Sequence, residues 1–158
     1  MDLFYEPHRL ILQRLIECKV DFILIGGYAV NYHGYSRPTG DLDLWLNPVG
    51  ENQLRFIALL EKYQFEKESI EYVKSLNFSN AEVFCMGEPP VRVDFLTKIS
   101  GVDYDDADKL KIMVDIAGMK IPILHLNHLV LSKVANNRTK DKLDVEELQK
   151  IQELKKKK

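Results

Sequence analysis

Residues 23–46 read ILIGGYAVNYHGYSRPTGDLDLWL, and this stretch decides how the rest of the chain is to be read. VDFILIGG is a short, apolar, fully buried strand that ends at Gly26-Gly27. YAVNYHG supplies about two turns of helix at 3.6 residues each, closed by Gly34. YSRPTG is a loop, because Pro38 disfavours helix at Arg37. DLDLWL returns as a second strand, stopped by Pro48. Side chains on an extended segment alternate faces, so Asp41 and Asp43 point one way while Leu42 and Leu44 point into a core. Two anions side by side repel, and each needs a cation or a hydrogen-bond donor. VRVDFL carries a third acid, Asp94, flanked by apolar residues. Three carboxylates make a hard, oxygen-rich site suited to Mg²⁺, with Mn²⁺ as the alternative. The chemistry this points to is phosphoryl or nucleotidyl transfer.

The glycine pair fits the same chemistry. Glycine lets the backbone approach a ligand closely, and a helix start offers free N–H groups to a phosphate. Taken alone, Gly26-Gly27 is equally a strand-to-helix turn. It matches neither GxxxxGK[ST] nor GxGxxG. The interval from Gly27 to Asp41 holds one short helix and a return strand, which brings glycines and acids to the same sheet edge.

Outward from this stretch, helices and strands alternate. PHRLILQRLIECK is helical, with Leu10, Ile11, Leu15 and Cys18 on one face and Pro7 in the first turn. ENQLRFIALLEKYQF is an amphipathic helix, and residues 66–78 read as either helix (ESIEYVKSL) or loop, with helix preferred. AEVFCM and PPVRVDFLTKI form a strand pair joined around Gly87 to Pro90, followed by a short helix or turn in DYDDADKLK. IMVDIAG and KIPILHL form another pair turning at Gly118-Met119. Asn127 is the expected N-cap of HLVLSKVANN, KDKLDVEELQKIQEL is the last helix, and the four closing lysines read as a solvated tail. The expected fold is α/β (α+β): a mixed sheet flanked by helices, with C-terminal helices. We expect one domain over residues 1–158, with a core at about 20–126 and a helical part at about 127–155.

The 158 residues can bury a real core, and the hydrophobic fraction of 46% is ordinary for a globular protein. A net charge of −2 gives no overall basic field, which weighs against nucleic acid as a partner. No apolar run reaches the roughly 20 residues of a membrane helix, and MDLFYEPHRL does not read as a signal peptide. Cys18 and Cys85 lie in apolar stretches and read as free, buried thiols in a reducing compartment, so a cytoplasmic protein is expected. The spacing of His33, His125 and His128 with these cysteines fits no zinc motif.

ILIGGYAVNYHGYSRPTGDLDLWL followed by VRVDFL resembles the nucleotidyltransferase superfamily that includes DNA polymerase β. That pattern is hydrophobic-Gly-Gly/Ser, a gap, Asp-hydrophobic-Asp/Glu, then a third acid among apolar residues. Gly26, Gly27, Asp41, Asp43 and Asp94 each fill one of its positions. The sequence is similar, over roughly residues 20–150, to small prokaryotic enzymes of the abortive-infection, toxin–antitoxin and lincosamide nucleotidyltransferase types. Arg37-Pro38-Thr39 and the polar positions Lys133, Arg138, Lys140, Asp141 and Asp144 fit that subgroup. The resemblance implies that Asp41, Asp43 and Asp94 hold two metal ions, that Asp94 helps activate an acceptor hydroxyl, and that Gly26, Gly27, Arg37, Thr39, Lys133 and Lys140 contact an NTP such as ATP. It implies a small-molecule or protein acceptor, with a toxin or antitoxin partner or a homodimer as protein partners.

Other readings stand beside these. Lys133 is either a phosphate contact or a solvated helix position. Asp141 and Asp144 read as cap or surface acids, and His33 as a surface residue. Arg92 either pairs with Asp94 or meets phosphate. Trp45, on the acid face by alternation, either stacks on a base or packs. The whole chain is an enzyme, an antitoxin-like binding module with this fold, or, least in keeping with the motifs, a Mg²⁺-dependent phosphohydrolase.

Overall fold

The computed structural model describes residues 4–157. In chain order these form α1 (Glu6–Glu17), β1 (Phe22–Ile25), α2 (Gly26–Tyr32), β2 (Leu42–Leu46), α3 (Gly50–Lys62), α4 (Lys67–Ser75), β3 (Val83–Met86), β4 (Val93–Leu96), α5 (Tyr104–Leu110), β5 (Ile112–Ile116), β6 (Met119–Ile123), α6 (Leu126–Asn136) and α7 (Thr139–Lys156). The strands make one mixed sheet in the order β3-β4-β2-β1-β6-β5. β2 runs antiparallel to β1 and parallel to β4, while β1 and β6 are parallel. The expected α/β architecture, with helices at the C-terminal end, is the one observed.

The centre of the sheet is packed on both faces. All four residues of β1, FILI, are buried, as a strand covered on both faces requires. Leu42 and Leu44 of β2 are fully buried, on the side opposite the acids. Phe56 of α3 meets Phe78, Phe84 and Phe95 edge-on at centroid distances of 6.3, 5.6 and 5.0 Å. Each such aromatic pair contributes about 0.5–1.5 kcal/mol beyond the area it buries. Asn52, also fully buried, donates to the carbonyls of Asp21 (2.9 Å) and Asn47 (3.1 Å) and accepts from the Asp21 N–H (2.7 Å). One amide thereby joins the entrance of β1 to the exit of β2.

Several local expectations need correction. The buried face of α1 is His8, Leu12 and Leu15, whereas Leu10 is exposed and Ile11 and Cys18 only half-buried. An apolar pattern alone could not anticipate the turn of the helix that buries His8. The hairpin turn lies at Ala117-Gly118, both at positive φ (54° and 81°), and Met119 already belongs to β6. His125, not Asn127, caps α6: its Nδ1 accepts from the Asn127 N–H at 3.0 Å. Asn127 instead accepts from Gln152 on α7 at 2.8 Å. Cys85 is exposed and Cys18 half-buried; both are free thiols. α7 continues through Lys156, so two of the closing lysines are helical rather than tail, and Lys158 lies outside the described residues. Residues 67–75 are helical, as expected. No helix among the described residues is long and apolar enough to cross a membrane.

Candidate active site

Strand register assembles the acids. Asp43 is paired with Asp94 across the parallel β2–β4 ladder and with Ile25 across the antiparallel β1–β2 ladder. Directly paired residues share a sheet face, so the two carboxyl groups meet and share a hydrogen bond. Burial first, then the charge of Asp94 and that hydrogen bond, push Asp43 up to about 7. Asp41 adds to the rise from its exposed position just before β2, and Lys140 opposes it. Asp94 also receives the Nε–H of Arg92 at 2.9 Å, so Arg92 pairs with it.

The glycines are required by these same side chains. Gly26 has φ +70°, and a Cβ there would lie 2.1 Å from Asp43 Oδ2. A Cβ on Gly27 would lie 2.1 Å from Thr39 Oγ1 and 3.4 Å from Arg37 Nη1. An approach of 2.1 Å is not tolerated by a real Cβ, so glycine at both positions lets β1 and α2 press against the acid strand and the 37–39 loop. The helix begins at Gly26 itself, so the glycines form its first residues rather than a turn before it.

A buried ionic cluster closes the other side. Lys133 of α6 is 7% exposed, and its Nζ lies 2.9 Å from Asp144 and 3.3 Å from Asp141. Arg37 grips Asp144 with Nε at 2.8 Å and Nη2 at 2.9 Å. Arg138 donates to Asp141 at 2.7 Å. Burial alone would raise both carboxyls, but hydrogen bonds from Arg138 to Asp141 and from Arg37 to Asp144, with Lys133 between them, hold both below the ordinary aspartate range. Asp141 and Asp144 are thus buried cluster members, not surface or cap acids, and Lys133 is not solvated. The Asp-x-x-Asp spacing, one helical face at i,i+3, was the available signal; that Lys133 lies opposite was not readable.

Two clefts of about 400 Å³ each meet at the acids. Gly26, Asp41, Asp43, Lys133, Arg138 and Lys140 line both. One continues past Gly27, Arg37 and Thr39. The other continues past Asp94 and Arg92 toward Lys98, Ser100 and the apolar side chains of Leu96, Ile99 and Leu129. All nine sequence-predicted site residues therefore line one cleft or the other. Arg37 and Lys133, however, are already engaged by carboxylates, whereas Lys140 forms no ion pair among the described residues. Lys98, unnoticed in the sequence, lines the second cleft.

The donor set suits a hard divalent cation: all oxygen, with two carboxyl groups in contact. Among the described residues, no three His, Cys, Asp or Glu side chains already converge on one point, and Asp94 is paired with Arg92 at 2.9 Å. Two other residues differ from expectation or decide between alternatives. His33 is buried, and its Nε2–H donates to the Leu124 carbonyl at 2.7 Å, so it is not a surface residue. Trp45 packs: it is 1% exposed, donates to the Thr97 carbonyl at 3.0 Å and meets Tyr104 edge-on.

A mixed sheet carrying paired acids on adjacent central strands, beside a Gly-Gly helix start, is the nucleotidyltransferase fold. The chain belongs to the family described as "Nucleotidyl transferase of unknown function (DUF2204)", which matches residues 6–158. Its structure is similar to that of the lincosamide antibiotic adenylyltransferase LnuA bound to lincomycin, with a TM-score of 0.55 at 15% identity, covering 96% of this chain and 99% of that one. It is also similar to a nucleotidyltransferase from Thermotoga maritima (TM-score 0.51, 19% identity, 97% and 94% of the chains). An antigenic nucleotidyltransferase-like protein from Paracoccidioides brasiliensis shares the fold (TM-score 0.55, 13% identity, 94% of this chain and 76% of that one). No curated protein sequence matches the chain.

Proposed function

We infer that the protein transfers a nucleoside monophosphate from an NTP to a hydroxyl of a small molecule or protein, releasing pyrophosphate. The observation that carries this reading is the register of Asp43 with Asp94 where the two clefts meet, sealed by a glycine that no other residue can replace. In this reading the triphosphate lies along Gly26, Gly27 and Thr39, with the ammonium of Lys140 facing it. The acceptor enters past Arg92 and Lys98, where apolar side chains can hold its body. The LnuA structure contains a small antibiotic, and this supports a small-molecule acceptor here.

Asp94 orients the acceptor hydroxyl and takes its proton. The acceptor oxygen forms a bond to the α-phosphorus, and the bond from that phosphorus to the bridging oxygen of the β-phosphate breaks. Pyrophosphate carries the electron pair away. Arg92, hydrogen-bonded to Asp94, holds the carboxylate ready. Arg37 and Lys133 act by fixing the 37–39 loop against α6 and α7. Two Mg²⁺ or Mn²⁺ ions, held by Asp41, Asp43 and Asp94, would supply positive charge against the triphosphate and the leaving pyrophosphate.

The test is α-labelled ATP, GTP, CTP and UTP with Mg²⁺ or Mn²⁺ in small-molecule-depleted and whole lysates, beside an Asp41→Asn/Asp43→Asn protein. Label on a metabolite or protein band that disappears with the variant supports the reading and names the acceptor class. Mg-NTP binding without transfer favours the antitoxin-like binding module acting through a partner. Absence of both binding and transfer refutes the site.

A further inference from the structure

The cleft that continues past Asp94 changes chemically along its length. The carboxylates that line it, Asp41, Asp43 and Asp94, are grouped at the β2–β4 register. Three of its cations are engaged by carboxylates: Arg92 by Asp94 at 2.9 Å, Arg138 by Asp141 at 2.7 Å, and Lys133 by Asp144 at 2.9 Å. Lys98 is exposed in the cleft and forms no ion pair among the described residues.

The strand presents Lys98 at a defined place. Asp94, Leu96 and Lys98 occupy every second position, so they share one face of β4 and its continuation. Thr97 points the other way and is fully buried. Its hydroxyl donates to the Asn80 carbonyl at 2.6 Å and accepts the Glu82 N–H at 2.8 Å, while its carbonyl accepts the Trp45 Nε1–H at 3.0 Å. The chain just before Lys98 is thereby held from behind. Four residues at roughly 3.3 Å each put the Lys98 Cα no more than about 13 Å from that of Asp94. Just beyond, the Ser100 hydroxyl donates to Asn136 Oδ1 at 2.7 Å. That bond orients the Asn136 amide, whose Nδ2 donates to nothing among the described residues. Ser100 and Asn136 line the same cleft as Lys98, and Leu96, Ile99 and Leu129 give it apolar surface.

We propose that Lys98 and Asn136 form an anion subsite, and that the acceptor is a small hydroxylated molecule carrying a carboxylate or phosphate away from its reacting hydroxyl. An ammonium and an amide N–H are donors without acceptors here, and an anionic oxygen satisfies both. Leu96 stands between Lys98 and Asp94 on the strand, so the middle of the acceptor is apolar. A cleft of about 400 Å³ matches a small molecule. What happens at the hydroxyl rests on the nucleotidyl-transfer reading; the anion subsite itself does not.

The test has two arms. In the first, the small molecules of a lysate are separated by ultrafiltration and split on an anion exchanger at neutral pH. Each fraction, and the material the filter holds back, is offered to the protein with α-labelled NTP. The expected acceptor lies in the small-molecule fraction that the exchanger retains. For it, Lys98→Met raises KM roughly tenfold, as for one lost charge-assisted hydrogen bond, while KM for the NTP stays put. Lys98→Arg returns the value toward wild type. Label confined to the unretained fraction or to macromolecules overturns the proposal, as does an unmoved acceptor KM in Lys98→Met. In the second arm, the Asn136 side-chain amide is followed by NMR as 4-hydroxyphenylacetate, or its cationic counterpart tyramine, is added to millimolar concentration. The expected shift comes with the anion alone and is lost in Lys98→Met. Equal shifts from both compounds, or none from the anion, overturn the subsite. If no fraction accepts label, the nucleotidyl-transfer reading fails, and the second arm still decides whether Lys98 and Asn136 bind an anion.

Discussion

Replacing Asp43 with asparagine should stabilise the metal-free protein while abolishing transfer. The carboxyl of Asp43 is raised from the ordinary 3.8 to about 7, chiefly by burial and then by Asp94. Between those values the folded protein holds a proton that the unfolded chain has released. Stability therefore falls as pH rises through this window, and the whole loss stands above pH 7. At 1.36 kcal/mol per tenfold change in proton affinity, the loss is roughly 4 kcal/mol. At about pH 5 only some 1.5 kcal/mol of it is present, by the same conversion. Asp43→Asn keeps the shape and removes the charge. In EDTA its Tm should exceed the wild-type value by roughly 10 °C at about pH 8.5, given about 2–4 °C per kcal/mol for a chain of this size, and by clearly less at about pH 5. Thermal denaturation of both proteins across this range gives the answer. A Tm difference that does not grow with pH, or a variant less stable than wild type at high pH, would show that the Asp43–Asp94 contact is not a repulsive pair.

The two glycines provide a second test. Gly26→Ala forces a Cβ onto Asp43 at positive φ and should lose about 1–3 kcal/mol of stability together with transfer, read by denaturant titration and the labelled-NTP assay. Gly27→Ala should be similar, but partly restored by Thr39→Gly, because the obstructing atoms are those of Thr39. Lys133→Met leaves two buried carboxylates facing each other and should lose about 3–5 kcal/mol. Because Asp141 and Asp144 sit below the ordinary range, held there first by Arg138 and Arg37 and then by Lys133, the stability they contribute in wild type is present above pH ~4 and lost as pH falls further, so acid unfolding should be less steep in Lys133→Met than in wild type. Lys140→Met removes the cation that opposes the rise at Asp43 and should move its titration upward, visible by carboxyl ¹³C NMR, while weakening NTP binding.

Much of the fold was written in short-range patterns. The apolar run ending in Gly-Gly, the Asp-Leu-Asp-Leu alternation and the stops at Pro48 and Gly118 are local signals, because strand period and turn chemistry act over a few residues. Asp41, Asp43 and Asp94 could be picked out for the same reason: acids embedded among strand-forming apolar residues have few structural excuses. The cap of α6 was misplaced by two residues because His125 and Asn127 both present a short-range acceptor, and only the path of the chain selects between them. The buried face of α1 was misread for a related reason: His8 is polar in any pattern, and its partner Tyr28 is far away in sequence.

What the sequence determined alone was which residues alternate, turn and carry charge, since those properties belong to neighbouring residues. Which residues meet was decided by the tertiary structure. The Asp43–Asp94 contact comes from parallel pairing of strands separated by two helices and an edge strand. The cluster of Arg37, Lys133, Asp141 and Asp144 comes from α7 folding back over the 37–39 loop. The raised carboxyl of Asp43, the lowered imidazole of His8 and the buried ionic cluster all depend on desolvation, and burial is a property of the packed molecule, not of any segment of its chain.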